Sequence, residues 1–345
     1  MAKVTISDVA GVAGVSNATV SNVINDKGKV SASTRRAVLQ AIEQLNYRPN
    51  ASAQRRFQQA ALKSIGLVIK EVHNPYFADV IVGAQEKASE EGYELMVSSS
   101  EGRRETERRI IDLFVAKDVN GFIINPLLDG EADLLPLFEL KRRNIPFVML
   151  ERVHGLRGNL VDVDNVAAST EATAHLIGLG HKQIVHFAGP EYSMHSDERV
   201  EGFRRAFFDS RLVFSEDRVV PAGGSLEDGY RTGMTYFKDQ TNAAERPTAV
   251  TCYNDLVAIG LLRALRELGL HVPEEVSVVG FDNDDMCDYA PVPLTTMGVP
   301  TVEMGRKAME LLIRQMEASD QHTPESLTLQ AELIDRASTA PVKEA

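Results

Sequence analysis

The sequence predicts an α/β protein in which a small three-helix N-terminal domain precedes a two-lobed core of doubly wound parallel sheets. Two observations support this fold class. Residues 1–47 contain three short helical periodicities, whereas short apolar runs alternate with helical periods from residue 64 onwards, and this alternation starts again after Asn165. Because repeated strand–helix units build parallel sheets covered on both faces, two such sets predict two lobes.

Helix-capping residues mark the three N-terminal helices. Thr5 opens a capping box before the first helix, Gly14 ends that helix, Ser16 precedes a second helix over residues 17–24, and Ser31 precedes a third. Hydroxyl side chains satisfy free N–H groups at a helix start, and glycine is favoured just after a helix end. A helix, a glycine-containing turn and a second helix form the helix-turn-helix pattern, which presents the second helix to the major groove of DNA.

The second helix has two contrasting faces. Val20, Val23 and Ile24 recur at helical spacing and predict the buried face. The opposite face carries the small or hydrogen-bonding side chains of Asn17, Ala18, Ser21 and Asn22. Such a face suits base edges in a major groove, although a polar face of an ordinary helical subdomain has the same periodicity.

The charge distribution favours a nucleic-acid partner for the N-terminal segment. The whole chain carries −12, yet its first 63 residues hold nine bases and three acids and carry +6, which leaves −18 on the remainder. A basic segment on an acidic body is expected to meet phosphate while the body has another role.

Composition and cysteine usage exclude other classes. The N-terminus has no apolar signal-peptide region, and no stretch approaches the roughly eighteen apolar residues that a membrane span needs. We therefore expect a soluble cytoplasmic protein without a membrane partner. Cys252 and Cys287 lie far apart without CxxC spacing, and the eight histidines show no metal-ligand spacing, so neither a disulfide, a metal site nor a cofactor is expected.

The N-terminal motifs resemble a known family. The run VTISDVAGVAGVSNATVSNVIN, followed by VS..TR.AVLQAIEQLNYRPN, is similar to the headpiece of the LacI/GalR repressor family. This resemblance implies that Asn17, Ala18 and Asn22 read bases. It implies further DNA contacts, many of them to phosphate, at Thr5, Ser7, Ser16, Thr19, Ser21, Asn25, Ser31, Thr34, Tyr47, Asn50 and Ala53. Many relatives carry arginine where Asn22 stands, so a different half-site preference is expected.

The segment that follows resembles the family's hinge with one departure. Family members wedge a leucine of a short hinge helix into a minor-groove step. Here the run is PNASAQRRF, and the expected leucine position holds Arg56 with Phe57 next. Either Phe57 is the wedge in a shifted register, or Arg56 enters the minor groove by charge. A flexible basic linker is the remaining alternative.

In the core, polar residues follow the predicted strands, where doubly wound sheets bind ligands. The runs GHKQIVHFAGP, RVEGF, YNDLVAIGLLRALRELGLHVPEEVSVVGFDN and PLTTMGVP are similar to the family's periplasmic-binding-protein-like core. This match implies effector contacts at Tyr76, Phe77, Arg152, Asn254 and Asp282, and next at Glu151, Ser193, His195 and Asp197. Arg199 begins the RxxGF run at a helix start, where a structural role is at least as well supported as contact with the effector. Some acidic and amide residues are expected to be helix caps, Asp255 above all.

These observations divide the chain into a helix-turn-helix headpiece (1–47), a hinge and linker (48–63) and an effector-binding and dimerisation core (64–345). The expected N-lobe comprises residues 64–162 and 293–320, and the expected C-lobe comprises 163–292 and 321–340. The predicted protein is a regulator, by family habit a repressor, that binds a pseudo-palindromic operator in double-stranded DNA as a homodimer, with a tetramer as the alternative. A sugar is the favoured effector, and a nucleobase or other metabolite acting as co-repressor is the alternative.

Two rival functions are disfavoured. No GxGxxG, P-loop, GxSxG or HExxH motif occurs, and the adjacent acids of residues 282–285 more often solvate a loop than form an acid/base pair, so catalysis is not expected. An exported solute-binding protein shares the core pattern, but it has no use for a recognition helix on a basic segment.

Overall fold

The computed structural model describes residues 4–24, 30–45, 47, 63–128, 134–239, 246–318 and 323–342. The chain divides into two compact units, residues 1–62 and 63–345. No helix in the described ranges is both long enough and apolar enough to cross a membrane.

The N-terminal unit contains the three predicted helices, α1 (Ile6–Ala13), α2 (Asn17–Ile24) and α3 (Ala32–Gln44). Their buried apolar residues form one small core. The capping predictions are confirmed, because Asp8 accepts hydrogen bonds from both Thr5 N and Thr5 Oγ1, and Gly14 takes the left-handed conformation that ends α1. Local signals in the sequence therefore account for the three helices described in this unit.

The larger unit contains two six-stranded sheets. In the first sheet the strand order is β11-β5-β4-β3-β1-β2, with β1 (Lys63–Ile69), β2 (Tyr93–Ser99), β3 (Gly121–Ile124), β4 (Phe147–Met149), β5 (Asn159–Val163) and β11 (Ser326–Leu329). In the second sheet the order is β12-β10-β9-β8-β6-β7, with β6 (Ile184–Ala188), β7 (Val219–Pro221), β8 (Ala249–Cys252), β9 (Ser277–Asp282), β10 (Thr295–Gly298) and β12 (Glu332–Ile334). Neighbouring strands are parallel except for β10 and β12, so the predicted pair of mostly parallel lobes is confirmed.

Helices cover these sheets, as expected for repeated strand–helix units. They are α4 (Pro75–Glu90), α5 (Arg104–Ala116), α6 (Leu135–Arg142), α7 (Asn165–Gly178), α8 (Met194–Asp209), α9 (Leu226–Asp239), α10 (Asp255–Glu267), α11 (Met286–Tyr289) and α12 (Thr301–Glu317). α4 and α12 pack with backbones almost in contact: a Cβ on Gly83 would lie 1.9 Å from the Val302 carbonyl oxygen. This close packing fixes the start of α4, where Tyr76 donates a hydrogen bond to Met304 of α12 (3.1 Å).

The predicted lobe boundaries near the C-terminus are wrong. β10 pairs with β9 and therefore belongs to the second sheet, although residues 293–298 were expected in the N-lobe. β11 pairs with β5 in the first sheet, although residues 321–329 were expected in the C-lobe. The chain thus passes between the sheets around residues 164, 299–300 and 330–331. Periodicity identifies a segment as a strand but does not indicate which strand it pairs with.

Candidate DNA-reading face and effector cavity

The outward face of α2 consists of the residues that the sequence assigns to base reading. Asn17, Ala18 and Asn22 are exposed, whereas Val20 and Val23 of the same helix are buried. The Asn17 side-chain amide donates a hydrogen bond to Ser7 Oγ of α1 at 3.1 Å. This contact holds one end of the reading face against the neighbouring helix.

Hydroxyl caps lie at the starts of α2 and α3. Ser16 Oγ accepts a hydrogen bond from Thr19 N at 3.1 Å, and Ser31 Oγ accepts one from Thr34 N at 3.1 Å. Helix N-termini and their hydroxyl groups are favourable positions for phosphate oxygens. Ser21 and Tyr47 are half-buried. Asn25, Asn50, Ala53, Arg56 and Phe57 lie outside the described residues.

A cavity of about 30 Å³, room for one or two water molecules, lies between the two sheets of the larger unit. It is lined by Lys70, Glu71, Asn74, Tyr76, Phe77, Asn125, Pro190, Tyr192, Ser193, His195, Arg199, Gly224, Tyr253, Asn254 and Asp282. Apart from Arg199, which lies one turn inside α8, these residues lie at the carboxyl ends of strands, in the loops after them or at the starts of the following helices. This is the expected ligand position in doubly wound sheets.

Arg199 is the central cation of this cavity. Its guanidinium carbon lies 3.5 Å from the ring centroid of Phe281 and 4.8 Å from that of Tyr253. Arg199 Nε donates to Asn165 Oδ1 at 3.0 Å, and Arg199 Nη1 donates to the Tyr253 carbonyl oxygen. The side chain is buried and rigidly held, so its charge is presented to the cavity in one orientation.

Asp282 is the partner of this cation at the end of β9. Its Oδ1 lies 3.5 Å from Arg199 Nη2, which is an ion pair too long for a strong hydrogen bond. Burial raises the pKa of Asp282 well above its usual value, opposed by the Arg199 charge. Asp282 Oδ1 and Asn125 Oδ1 are both buried without a hydrogen-bond partner among the described residues. The cavity therefore offers two acceptor atoms that make no hydrogen bond, although Asp282 Oδ1 keeps its ion pair with Arg199.

Residues 190–198, which connect β6 to α8 and form its first turn, close the cavity from the second lobe. Leu128 N donates to the Tyr192 carbonyl oxygen at 3.0 Å, and Tyr192 Oη donates to Glu71. Glu151, which also pairs with Lys70, accepts a hydrogen bond from His195 N at 3.3 Å. Burial first, and the Glu71 contact second, raise the pKa of Tyr192. These contacts join the lobes in a closed arrangement.

The structure brings together most of the predicted effector contacts. Tyr76, Phe77, Ser193, His195 and Asp282 line the cavity. Asn254 also lines it, but its side chain is occupied locally: Asn254 Oδ1 caps α10 at Val257 N and its amide donates to the Gly224 carbonyl oxygen, both at 2.9 Å. Glu151 is fully buried behind the lining.

Besides Glu151, two predicted contacts do not line the cavity. Arg152 is exposed and borders a separate surface depression with His154, because the preceding Glu151 takes the inward position. Asp197 is exposed on α8. His195 and Arg199, one helical turn apart, occupy the inward face of α8, and Asp197 between them faces outward.

The sequence interpretation missed other lining residues, namely Lys70, Glu71, Asn125, Tyr192 and Tyr253, and undervalued Arg199. All but Arg199 follow a predicted strand or lie in a loop just after one, so the rule that ligands bind at strand ends could have found them. Arg199 lies one turn inside a helix, where only its distance from Asp282 in space reveals its role.

A helix-turn-helix unit followed by two lobes around a polar cavity defines a ligand-controlled DNA-binding regulator. A family model described as "Bacterial regulatory proteins, lacI family" matches residues 5–50, and one described as "Periplasmic binding protein-like domain" matches residues 173–339.

Similar proteins extend this match over nearly the whole chain. The "HTH-type transcriptional repressor PurR" of Aliivibrio fischeri (strain ATCC 700601 / ES114) is 32% identical over 337 residues, 97% of this chain and 98% of that protein. The protein of the same name from Haemophilus influenzae (strain PittEE) is 32% identical over 342 residues, covering 98% and 99%. The chain therefore belongs to the lacI family of bacterial transcription regulators. Because these relatives are repressors, the prediction of a regulator that is not an enzyme is confirmed.

Solved structures show the same architecture. The complex of the transcriptional regulator CelR with cellobiose is 30% identical, has a TM-score of 0.72 and covers 97% of this chain and 100% of that one. The lac repressor dimer bound to operator and the anti-inducer ONPF is 27% identical, has a TM-score of 0.75 and covers 98% and 100%.

Proposed function

We propose that the protein is a cytoplasmic transcriptional repressor that binds a pseudo-palindromic operator as a homodimer and responds to a small sugar held between its lobes. The unused acceptor atoms of Asp282 and Asn125 in a cavity with aromatic walls carry the effector half of this proposal. The exposed face of α2 supports the operator half.

The cavity chemistry favours a ligand that is rich in hydroxyl groups. The carboxylate oxygen of Asp282 and the amide oxygen of Asn125 that lack a hydrogen bond can accept one from a ligand hydroxyl group. Tyr76 and Phe77, whose rings meet edge to face at a centroid distance of 5.1 Å, provide an apolar surface for a sugar ring. The solved CelR complex contains cellobiose, which is consistent with this class of ligand.

Dimerisation follows from the small size of the reading face. Each headpiece presents one eight-residue helix, which reaches only a few base pairs, so useful affinity requires two copies on two half-sites. Residues 48–62 are proposed to act as the hinge between the units, with Arg56 or Phe57 as the minor-groove contact.

Effector control is proposed to act through opening and closing of the lobes. A cavity of about 30 Å³ cannot hold a sugar, so the lobes must separate, at least partly, for the effector to enter. A ligand shifts such an equilibrium only by its different affinities for the two states. The contacts of Tyr192 with Glu71 and of His195 with Glu151 must then rearrange.

A thermal-shift screen of the full chain against sugars and nucleobases tests this proposal. We expect one sugar class to raise the unfolding temperature by binding the folded core, and Asp282→Asn to abolish that rise. Glu332→Gln, at an exposed position on β12 of the same sheet, is the matched control and should respond like the wild type. A response to nucleobases alone, or a normal sugar response in Asp282→Asn, would contradict the proposed effector class or its site.

A further inference from the structure

Three potential metal ligands meet where the two lobes join, beside the effector cavity. Asp162 lies near the carboxyl end of β5 in the first sheet. His195 and Glu198 lie on the first turns of α8 in the second lobe. One ligand atom from each of the three lies within 4.8 Å of those of the other two. Asp162 is 33 residues from His195, so this grouping arises from the fold and not from sequence spacing.

The distances and burial of the cluster are suitable for a small cation. His195 Nε2 lies 3.2 Å from Asp162 Oδ1, close to the separation of about 3.3 Å between two ligands bound tetrahedrally at about 2.0–2.1 Å. The Glu198 ligand oxygen lies within 4.8 Å of the other two ligand atoms, so a rotation of its flexible side chain brings it into three-point coordination. Asp162 and His195 are buried and Glu198 is half-buried, which leaves a path of entry.

A second layer of contacts holds these ligands in place. Asn165 Nδ2 donates to Glu198 Oε2 at 2.9 Å, and Asn165 Oδ1 in turn accepts from Arg199 Nε at 3.0 Å. The backbone N–H of Val163 donates to Asp162 Oδ1 at 2.8 Å. Such outer contacts orient ligands and are typical of metal sites.

The local charge balance also favours a cation. In the described part of the chain, Lys70 pairs with Glu151 and Arg199 pairs with Asp282, so neither cation is paired with Asp162 or Glu198. The ligand oxygens of Asp162 and Glu198 lie within 4.8 Å of each other at a buried and a half-buried position, so two like charges meet where water screens them poorly. A bound divalent ion would remove this repulsion between two carboxylates.

We propose that Asp162, His195 and Glu198 form a binding site for a divalent transition-metal ion that bridges the two lobes. One imidazole and two carboxylates form the mixed nitrogen and oxygen donor set that suits zinc, with water completing the coordination. Because the ligands come from both lobes, the ion binds the closed arrangement and stabilises it against opening.

Calorimetric titration of the full chain with zinc chloride, after treatment with a chelator, tests the site. We expect each chain to bind one zinc ion, and we expect the side chains of this cluster to provide most of the binding affinity. Glu198→Gln and Asp162→Asn, which keep side-chain size and remove one charge, should each weaken zinc binding at least tenfold. Glu201→Gln is the matched control on α8, because it removes an exposed charge one turn away. It should bind zinc like the wild type.

Thermal unfolding supplies a second measurement. Zinc should raise the unfolding temperature of the wild type and of Glu201→Gln, and this rise should be smaller in both ligand variants. Each variant is first checked for cooperative melting without metal. Because the two substitutions lie on different lobes, one variant that folds is sufficient to test the site. Failure of the wild type to bind zinc, or zinc binding that is unchanged in a folded ligand variant, would overturn the proposal.

Discussion

Replacing Arg199 by methionine should strongly destabilise the core. Methionine keeps much of the apolar length of arginine but leaves the buried Asp282 carboxylate without its partner at 3.5 Å. Breaking a buried ion pair from one side typically costs about 3–5 kcal/mol, and the lost hydrogen bonds to Asn165 and Tyr253 fall within that cost. This is a large fraction of the roughly 5–15 kcal/mol by which folded domains are stable.

The double variant Arg199→Met with Asp282→Asn separates charge from packing. Asparagine removes the unpaired charge while keeping the shape, so the double variant should regain about 2–3 kcal/mol relative to Arg199→Met. The single variant Asp282→Asn completes this double-mutant cycle.

Urea unfolding followed by tyrosine fluorescence measures these free energies. The chain has no tryptophan, and seven of its eight tyrosines lie beyond residue 63, so the signal reports the core. Equal destabilisation in the single and double variants would show that Arg199 stabilises by packing alone. A loss below about 1 kcal/mol for Arg199→Met would refute the electrostatic argument altogether.

Three further predictions concern DNA reading and pH. Asn22→Ala should lose about 1–3 kcal/mol on the cognate operator and relax the preference at one base pair; an equal loss on all sequences in gel-shift titrations would refute base reading. Operator affinity should fall steeply with salt despite the net charge of −12, and a flat salt dependence would contradict the basic-headpiece argument. Burial, reinforced by the charge of Asp255, raises the pKa of Asp284 from 3.8 to about 7. Because the folded value is the higher one, stability should fall as pH rises from about 4 through about 7, by up to about 4 kcal/mol. Asp284→Asn should flatten this dependence in urea titrations across the same range, and an unchanged slope would assign the dependence to other groups.

The headpiece was predictable because its signals are local. The capping box at Thr5, the left-handed glycine at position 14 and the hydroxyl caps at Ser16 and Ser31 all act within four residues. Each of these signals can be read from the order of the residues alone, and helix boundaries followed from them. The charge asymmetry and the exposed face of α2 then indicated its role.

The core was predictable in type but not in pairing. β10 lies in the second sheet and β11 in the first, opposite to the prediction. These pairings depend on contacts between strands that periodicity does not encode. A helix cap was correctly expected after β8, but it was assigned to Asp255, the wrong residue. Asn254 caps α10, whereas Asp255 accepts hydrogen bonds from Thr296 Oγ1 at 2.6 Å and Asp284 N at 2.9 Å. A one-residue difference thus exchanges a cap for a buried structural carboxylate.

The effector site was predictable only in part, and strand ends were no safer a guide than helices: His195 on α8 was found, whereas Arg152 after β4 was wrong. The family resemblance implied Tyr76, on the first turn of α4, and Asp282, at the end of β9, and both line the cavity. From the sequence alone, either Arg199 or Arg152 could supply the cation of the cavity. The structure decides between them, because Arg199 is buried and Arg152 is exposed. The cluster of Asp162, His195 and Glu198 likewise depends on the meeting of two lobes.

The most direct test of the central claim is an operator titration of the full chain with and without the sugar that stabilises it in the thermal-shift screen. We expect this sugar to change the operator dissociation constant of the wild type at least tenfold. Asp282→Asn should bind operator but lose this response, because it lacks the carboxylate that holds the effector. An operator affinity that is indifferent to the sugar in the wild type, or a full response in Asp282→Asn, would contradict effector control through this cavity.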